Sequence, residues 1–366
     1  MGGRPAARLP DGSTIAVVAA RPRRIVALAA MALLAFPAAA QATLAFVRSP
    51  LKPTVWAAAD DGSAQRKIAP GSFPRVSPDG KVIALLHQGE GRRAQPELIL
   101  APADGSAPPS RLVNGWRETA TFAWSPDSRS VAAVLGPEVG SKRLALIDTV
   151  TGGQQTIAHG YFNGVSFDPQ GGSVVYGRAA SERFPPRSDV YRFDIVSGES
   201  VRVPQPVRLT DDHRSLDPLW GPGGRIVFVK QLGGKKRRYG PKNELYLMNS
   251  GGKAVRRLTQ TTVDPLLQGL YPTAWSDSGS RLLAEFEGQD TSYAVAVNPR
   301  TGAQRQLARG RERGFVGTAL SADGGTVLGF SGGFEPGPGH NVATVPYKGG
   351  PRTVLAKNAF EPDWNR

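Results

Sequence analysis

The segment at residues 329–333 holds the clearest candidate for a catalytic residue. Its sequence, GFSGG, satisfies the pattern Gly-x-Ser-x-Gly, and His340 follows closely. In hydrolases that use this pattern, the serine stands on a sharp turn between a strand and a helix. The residues after Ser331 read GGFEPGPGH, and so many Gly and Pro residues cannot begin a helix. We therefore expect Ser331 to end a strand, and we predict no catalytic residue.

Metal and cofactor chemistry find little support in the residue types. The chain has no Cys, which excludes disulfides, thiolate metal sites and thiol catalysis. Its four His residues lie too far apart for the short spacings of zinc or di-iron sites. The triplet Asp211-Asp212-His213 supplies too few ligands to define a cation site. A loose dinucleotide-type pattern at residues 89–94 precedes a predicted strand, whereas that fingerprint needs a helix. The sequence predicts no metal site and no cofactor.

A run of four cations is the sharpest candidate for binding. Lys235, Lys236, Arg237 and Arg238 are adjacent and are followed by Tyr239. Such a cluster can grip a phosphate or the acidic surface of a partner. The alternative is a solvated loop with no ligand, and the sequence alone leaves both open.

These candidates lie along a repeated element that must position them. The element is a large apolar residue, then Ser-Pro-Asp-Gly or a close variant, then a short run of alternating apolar residues. The alternation is typical of a half-buried strand. Successive copies start 40 to 55 residues apart, at Val76, Trp124, Phe167, Trp220, Trp275, Leu320 and, truncated, Phe360.

The polar residues of the repeated turn can be explained by a structural role, the formation of the bend, without any role in catalysis. Pro presets φ, and Asp or Gly accepts the bend, so that one strand reverses into the next over few residues. We predict turn-building roles for Asp79, Asp127 and Asp323. The large aromatic residues at the start of the copies are expected to pack between neighbouring repeats; they include Trp124, Trp220 and Trp275.

The spacing of the copies predicts the fold class. Each repeat has room for four strands, and four-stranded units repeating every 40 to 50 residues are typical of an all-β β-propeller. Six complete units begin at Val76. Three unmatched strands precede them and one follows at Phe360, so the two ends of the chain can build a seventh unit together. We predict seven four-stranded blades, the last closed by both termini, with six blades as the alternative.

The repeats resemble those of the TolB-like propellers, which are relatives of the WD-type repeats. In that group, Trp/Phe-Ser-Pro-Asp-Gly precedes an Ile-Ala-Phe-like strand and a Leu-Tyr-Val-Asp-like strand; here WSPDSRSVAAVL starts at Trp124 and ELYLMN at Glu244. The resemblance covers nearly the whole chain after residue 42. It implies a propeller fold, and because that fold hosts unrelated activities it does not imply one function.

The N-terminal segment has the pattern of an export signal. The basic sequence RPRR at residues 21–24 precedes a 16-residue apolar run that ends in small residues at Ala40-Gln41-Ala42. The run is shorter than the roughly 20 residues that span a bilayer. We expect residues 1–42 to be a signal peptide cleaved after Ala42, with an uncleaved anchor as the alternative. Residues 43–366 would then be a single propeller domain in the periplasm or outside the cell.

Export changes how the net charge is interpreted. The chain carries a formal charge of +15, and residues 1–42 hold five Arg and one Asp, which leaves +11 after cleavage. In an exported protein this excess suggests a protein or an anionic envelope polymer as partner and peripheral membrane contact, with a merely soluble basic surface as the alternative. No nucleic acid is expected. We expect a monomer.

The topology of a propeller predicts where function lies. The turns between strands one and two and between three and four share one end of the ring, here called the turn end. The links between strands two and three and between successive units lie at the opposite end of the ring, here called the loop end. These links are long and contain aromatic and charged residues. Such loops on a rigid scaffold commonly bind ligands. The candidate binding residues are Trp116, Tyr161, Phe162, His213, Lys235, Lys236, Arg237, Arg238, Tyr271 and Phe315.

Three functions remain open. One, suggested by relatives of prolyl oligopeptidase, is a propeller that acts as a substrate filter for a peptidase on a separate chain. The other two are the following. The first is a noncatalytic binding scaffold that engages a protein, a glycan or an envelope polymer through its loop end. The second is a propeller-type glycan hydrolase or lyase whose carboxylates meet at the mouth of the channel. Sequence does not exclude the enzyme, because paired carboxylates are defined by their distance in space.

Overall fold

The computed structural model describes eleven ranges of the chain, and every strand given below lies in them. They are 43–89, 96–113, 121–137, 140–182, 187–196, 204–233, 241–261, 268–289, 291–308, 314–332 and 339–365. These residues belong to one compact unit, Ala40–Arg366. The predicted signal peptide lies outside them and stays a prediction.

The described residues form 27 strands. The first seven are β1 (Thr43–Arg48), β2 (Thr54–Ala59), β3 (Arg66–Pro70), β4 (Ser72–Val76), β5 (Val82–Gln88), β6 (Pro96–Pro102) and β7 (Ser110–Val113). The next seven are β8 (Phe122–Trp124), β9 (Ser130–Leu135), β10 (Lys142–Asp148), β11 (Gln154–Phe167), β12 (Ser173–Ala179), β13 (Ser188–Asp194) and β14 (Val207–Arg208). Next come β15 (Ser215–Gly221), β16 (Arg225–Leu232), β17 (Lys242–Asn249), β18 (Arg256–Arg257), β19 (Gly269–Trp275), β20 (Leu282–Glu287) and β21 (Ser292–Val297). The last are β22 (Gln304–Gln306), β23 (Phe315–Leu320), β24 (Thr326–Ser331), β25 (Asn341–Pro346), β26 (Thr353–Lys357) and β27 (Phe360–Trp364).

Antiparallel pairing groups these strands into seven four-stranded units. Units 1, 4, 5 and 6 are consecutive runs that start at β4, β15, β19 and β23. Units 2 and 3 share β11, whose first half pairs with β10 and whose second half pairs with β12. Unit 7 combines the two ends in the order β27, β1, β2, β3. In the described ranges the one helical segment is a short 3-10 turn, Pro222–Gly224, and no helix there is long and apolar enough to cross a membrane.

The repeated turn is built as the sequence predicts. The Ser77 hydroxyl donates to Asp79 Oδ1 at 2.6 Å and accepts from the backbone N–H of Val82 at 3.0 Å. The pairs Ser125/Asp127 and Ser321/Asp323 repeat both contacts. The turn-building role of the three aspartates is confirmed, because each carboxylate is occupied inside its own turn.

Apolar clusters between neighbouring units hold the ring together. The aromatic residues that begin the repeats lie in them. Trp220 is buried among Val175, Val190 and Ile226 from two adjacent units. The Trp275 ring packs so closely on Gly221 that a Cβ there would lie 2.6 Å from it. The predicted packing role of these tryptophans is confirmed.

The two ends of the chain meet in unit 7. In β27, Trp364 pairs with Leu44 and Phe360 pairs with Val47, both in β1. Phe360 and Trp364 are buried in clusters that reach the adjacent units. The predicted β-propeller class is confirmed. This pairing favours seven blades over six, and the number of blades stays a prediction that the truncation below tests.

Four aromatic residues predicted to lie in loops belong to strands. Tyr161 and Phe162 continue β11 without a break, because Gly160, at φ 147°, lets the chain pass from one unit into the next. Tyr271 lies in β19 and Phe315 begins β23. The loop assignment was wrong at these positions because a link between units can itself be extended and paired.

Candidate functional site

The first strands of the units enclose a central channel. One cavity of about 500 Å³ is lined by β4, β11, β15, β19, β23 and β27, the first strands of six units, and by side chains of β20. These strands meet because each unit turns the same strand toward the axis. Residues from six of the seven units therefore come together in this channel.

Bulges in the first strands shape the channel wall. The pairing of the first strand with its neighbour shifts in mid-strand in units 1, 3, 4, 5, 6 and 7. A bulge leaves a residue unpaired and bends the strand. Gly164, Asp217, Thr273 and Thr318 lie at these shifts, and all four line the cavity. The bulges therefore decide which residues line the channel.

Three carboxylates occupy the half of the channel nearer the loop end. Asp217 follows the start of β15, at φ 46°, and Glu285 and Glu287 lie at the end of β20. Strand alternation places these two glutamates on the channel face, while Phe286 between them is buried in the apolar cluster of units 4 and 5. The Ser292 hydroxyl donates to Glu285 Oε1. Among the described residues, Asp217 has no hydrogen-bond donor to its carboxylate.

Burial makes these carboxyl groups hard to ionise. Desolvation, followed by the negative charge of Glu287, raises the pKa of Asp217 to about 7. Desolvation also raises the pKa of Glu285 to about 7, against the Ser292 hydrogen bond, and raises the pKa of Glu287. Carboxyl groups with pKa values near neutrality can hold or release a proton under physiological conditions.

Tyr271 stands beside this cluster of carboxyl groups. Its hydroxyl accepts a hydrogen bond from Asn243 Nδ2 at 2.7 Å and donates to Gln268 Oε1 at 3.2 Å. Burial and the charges of Glu287 and Asp217 raise the Tyr271 pKa, so the phenol stays protonated. Of the candidate binding residues that the structure describes, Tyr271 is the one that lines this cavity.

The other half of the channel has a different character. Arg75 and Asp363 line both the main cavity and a second cavity of about 390 Å³ nearer the turn end. Asp363 Oδ2 accepts from the backbone N–H of Val76 at 2.8 Å. Burial raises the Asp363 pKa, while the positive charge of Arg75 lowers it. The channel thus has an acidic half toward the loop end. Its other half, toward the turn end, contains both a basic residue, Arg75, and an acidic one, Asp363.

Two of the predicted aromatic residues pack within the fold. Phe315 is 1% exposed and belongs to the apolar cluster between units 5 and 6. The Phe162 ring packs edge-on against Tyr176, with ring centroids 5.8 Å apart. The interpretation of Phe315 as an exposed contact residue was therefore wrong. Its side chain, at the start of the first strand of unit 6, is buried in the interface between units 5 and 6. Tyr161, half-buried in β11, lies outside the channel wall.

His213 is held by an acidic partner. Its Nδ1 lies 2.8 Å from Asp189 Oδ2, and its backbone N–H donates to Asp189 Oδ1. Arg208 pairs with the same carboxylate at 2.6 Å. The His213 side chain is half exposed, so a face of the ring remains open for contacts. Trp116, Lys235, Lys236, Arg237 and Arg238 lie outside the described residues.

The described part of the Gly-x-Ser-x-Gly segment, residues 329–332, lies at the end of a strand. Ser331 ends β24 and is 6% exposed, and the His340 ring packs so closely on Gly332 that a Cβ there would lie 2.2 Å from it. Among the described residues, no group of three or more His, Asp or Glu side chains is arranged to hold a metal ion.

Sequence reasoning missed Asp217, Glu285 and Glu287. A signal was available for Asp217 alone: a residue followed by Pro inside a predicted first strand, as in Phe73-Pro74, Asp217-Pro218 and Glu361-Pro362. Pro inside a strand marks a bulge or an edge. The residue before Pro has positive φ in all three, between 46° and 51°. The dipeptides thus mark where the first strands bulge.

Comparison with known proteins supports the fold assignment. No protein-family model matches the chain, and no curated protein matches it. TolB from Acinetobacter baumannii is 18% identical, with a TM-score of 0.54 over 88% of this chain and 82% of that one. The β-propeller domain of the Trilobed protease from Pyrococcus furiosus is 16% identical, with a TM-score of 0.59 over 86% and 94%. Oligogalacturonate lyase from Vibrio parahaemolyticus is 16% identical, with a TM-score of 0.56 over 87% and 85%.

These likenesses concern the fold. The chain has a β-propeller fold, as its repeats predict, and that fold is similar to the propeller of TolB. The similar structures include a lyase and a protease domain, so shared architecture does not select an activity.

Proposed function

We propose that the protein is an exported, noncatalytic binding scaffold that engages its partner at the loop end of the channel. The single observation that supports this most is the cavity of about 500 Å³ lined by Asp217, Tyr271, Glu285 and Glu287 on rigid, paired strands. Its volume lies within the range of ligand sites in proteins, about 300 to 1,000 Å³. A rigid wall limits the entropy lost on binding.

The chemistry of the channel favours a protein over an anionic polymer as the partner. Desolvated carboxylates repel an anionic chain and attract Lys or Arg side chains. A cation placed between Asp217 and Glu287 would offset both their burial and their mutual repulsion. An anionic envelope polymer would have to bind elsewhere, and the run at residues 235–238 supplies the charge for that alternative.

A retention experiment tests the scaffold. Residues 43–366 are immobilised and exposed to an envelope extract, beside a channel variant with Asp217→Asn and Glu287→Gln. We expect one protein to be retained without turnover and to be lost from the channel variant. Arg129→Glu and Gln170→Glu, which alter the turn end, are the matched controls and should retain it. Equal retention by the channel variant and the parent chain would contradict the proposal.

The elevated pKa values favour one second candidate. A carboxyl group with a pKa of about 7 suits a general acid, and glycan hydrolases and some lyases need such a group. Release of soluble glycan fragments by residues 43–366, abolished by Asp217→Asn or Glu285→Gln, would replace the scaffold by an enzyme.

A further inference from the structure

A third cavity lies at the turn end, away from the channel. It has a volume of about 580 Å³ and sits between units 5 and 6. Arg281, Arg305 and Lys348 line it, together with the polar side chains of Ser280, Asn298 and Gln304. No Asp or Glu is among its lining residues. A groove with three cations and no carboxylate has an excess of positive charge that the fold leaves uncompensated.

Tyr347 fixes two of the cations. The Arg281 guanidinium lies over its ring, 5.3 Å from the centroid, and Arg305 Nη2 donates to its backbone carbonyl at 3.4 Å. The Tyr347 hydroxyl in turn donates to Val297 O at 2.7 Å, and only 7% of the residue is exposed. The Arg281 stem packs on Gly324, where a Cβ would lie 2.8 Å from Arg281 Cδ. Arg281 and Arg305 are therefore held in place before any ligand arrives.

Arg225 occupies in unit 4 the position that Arg281 occupies in unit 5, and its guanidinium has hydrogen-bond acceptors within the protein. Arg225 and Arg281 both stand where the first turn of their unit leads into the second strand. The Arg225 guanidinium lies 5.2 Å from the Trp275 ring centroid, and it donates to Gly279 O and to Pro222 O, each at 3.0 Å. Arg281 has the ring contact alone: among the described residues, its guanidinium has no hydrogen bond and no ion pair. Its N–H donors therefore remain available to a ligand in the groove.

The charge and the size of the groove indicate the ligand. The planar guanidinium matches the oxygens of phosphate in a two-pronged geometry. A phosphate monoester carries a charge of about −1.5 to −2 near neutral pH, more than a carboxylate, and so balances several cations. The cavity is larger than a phosphate alone. Amide and hydroxyl groups of Asn298, Gln304 and Ser280 can bind the hydroxyls of an attached group.

We infer that this groove binds a phosphomonoester carried on a polar group about the size of a sugar. The site is separate from the channel and does not depend on the proposed function. The phosphomonoester can belong to a free sugar phosphate or to a lipid headgroup, and the experiment distinguishes these sources.

Calorimetry on residues 43–366 tests the inference with glucose 6-phosphate as the probe and glucose as the uncharged comparison. We expect glucose 6-phosphate to bind and glucose not to bind. Because a charge-assisted hydrogen bond is lost, Arg281→Gln and Arg305→Gln should each weaken binding about tenfold. Arg305 and Lys348 are exposed, so Arg305→Gln and Lys348→Gln should fold normally even if Arg281→Gln alters stability. Arg225→Gln removes the same charge outside the groove and should leave binding unchanged.

A second arm uses phosphatidylcholine vesicles with and without phosphatidylinositol 4-phosphate, whose phosphomonoester is carried on an inositol ring. Binding that requires phosphatidylinositol 4-phosphate and falls with Arg305→Gln supports a lipid headgroup, while binding of glucose 6-phosphate alone supports a free ligand. If neither probe binds, or if Arg225→Gln weakens binding as much as Arg305→Gln, the inference is overturned. Equal binding of glucose and glucose 6-phosphate would also overturn it.

Discussion

Asp217 shows how one bulge creates a functional group. At φ 46° its backbone adopts a left-handed conformation that non-glycine residues rarely take, and the strand register shifts between Leu216 and Leu219. The shift turns the carboxyl group into the channel beside Glu287. A desolvated acid without a hydrogen-bond donor among the described residues is costly when ionised. The dependence of its charge on pH is therefore the property to measure.

We expect Asp217→Asn to change how stability depends on pH. Between the ordinary aspartate pKa of 3.8 and the folded pKa of about 7, the unfolded carboxyl group is ionised while the folded one keeps its proton. This group therefore makes the free energy of unfolding fall as pH rises through that window, and the fall stops above pH 7. Asp217→Asn should match the parent chain near pH 4 and exceed it near pH 8 in urea unfolding. Parallel curves at all pH values would contradict the raised pKa.

Asp127→Asn is the matched control because its carboxyl group behaves in the opposite way. The hydrogen bond from the Ser125 hydroxyl lowers the Asp127 pKa. The ionised carboxylate stabilises the fold above the ordinary aspartate pKa of 3.8, and that stability is lost as pH falls through the lowered value. Asp127→Asn should therefore destabilise the protein at neutral pH.

At the scale of the element, the first strand of each unit has two tasks. It must pair with the second strand, and it must bend to follow the channel. Bulges reconcile the two, because the unpaired residue adds local twist. In β11 the bulge lies at Gly164, at φ 63°, where the chain passes close to Asp217.

Gly164→Ala should destabilise the protein and disturb the channel wall. An added Cβ would lie 2.8 Å from the Asp217 Cα atom, and alanine would also adopt a strained positive φ. We expect a loss of about 1–3 kcal/mol or more in the free energy of unfolding, measured in urea.

Gly152→Ala is the control for that substitution. Gly152 has a similar φ of 70°, but a Cβ there would meet nothing within 4 Å. Gly152→Ala should therefore lower the free energy of unfolding only by the cost of backbone strain. A decrease as large as that caused by Gly164→Ala would show that crowding against Asp217 is unimportant.

At the scale of the whole molecule, closure connects the two ends of the described chain. Thr43 N donates to Asn365 Oδ1 at 2.7 Å, and the Thr43 hydroxyl donates to Gly80 O in unit 1 at 3.0 Å. Unit 7 is therefore tied to its neighbour as well as closed on itself. Because β1 is paired with β27, β1 presents no free edge that could pair with another chain.

Removal of residues 358–366 should open the ring. The buried side chains of Phe360 and Trp364 would be lost, and each large aromatic removed from a core typically costs about 3–5 kcal/mol. We expect a lower Tm and aggregation detected by light scattering. Leu51→Ala is the control, because Leu51 is 95% exposed and its loss should change neither. An unchanged Tm after truncation would favour six blades.

Export is a second prediction at this scale. If residues 1–42 are a cleaved signal, intact-mass measurement on the exported protein should give a chain that begins at Thr43. A full-length chain found in the cytosol would contradict export and would bring back nucleic acid as the partner that the +15 charge favours.

The sequence by itself determined the repeat, its turns and the fold class. Ser-Pro-Asp-Gly turns and alternating apolar strands depend on neighbours a few residues apart, so their chemistry is readable along the chain. Only the tertiary structure decided what lines the channel and the groove. Asp217 and Glu287 are 70 residues apart in sequence, and Arg281 and Tyr347 are 66 apart, so that only the packing of neighbouring units brings each pair together. It also decided that Phe315 is buried and that β11 runs unbroken through a predicted loop, because burial and strand pairing depend on the neighbouring units.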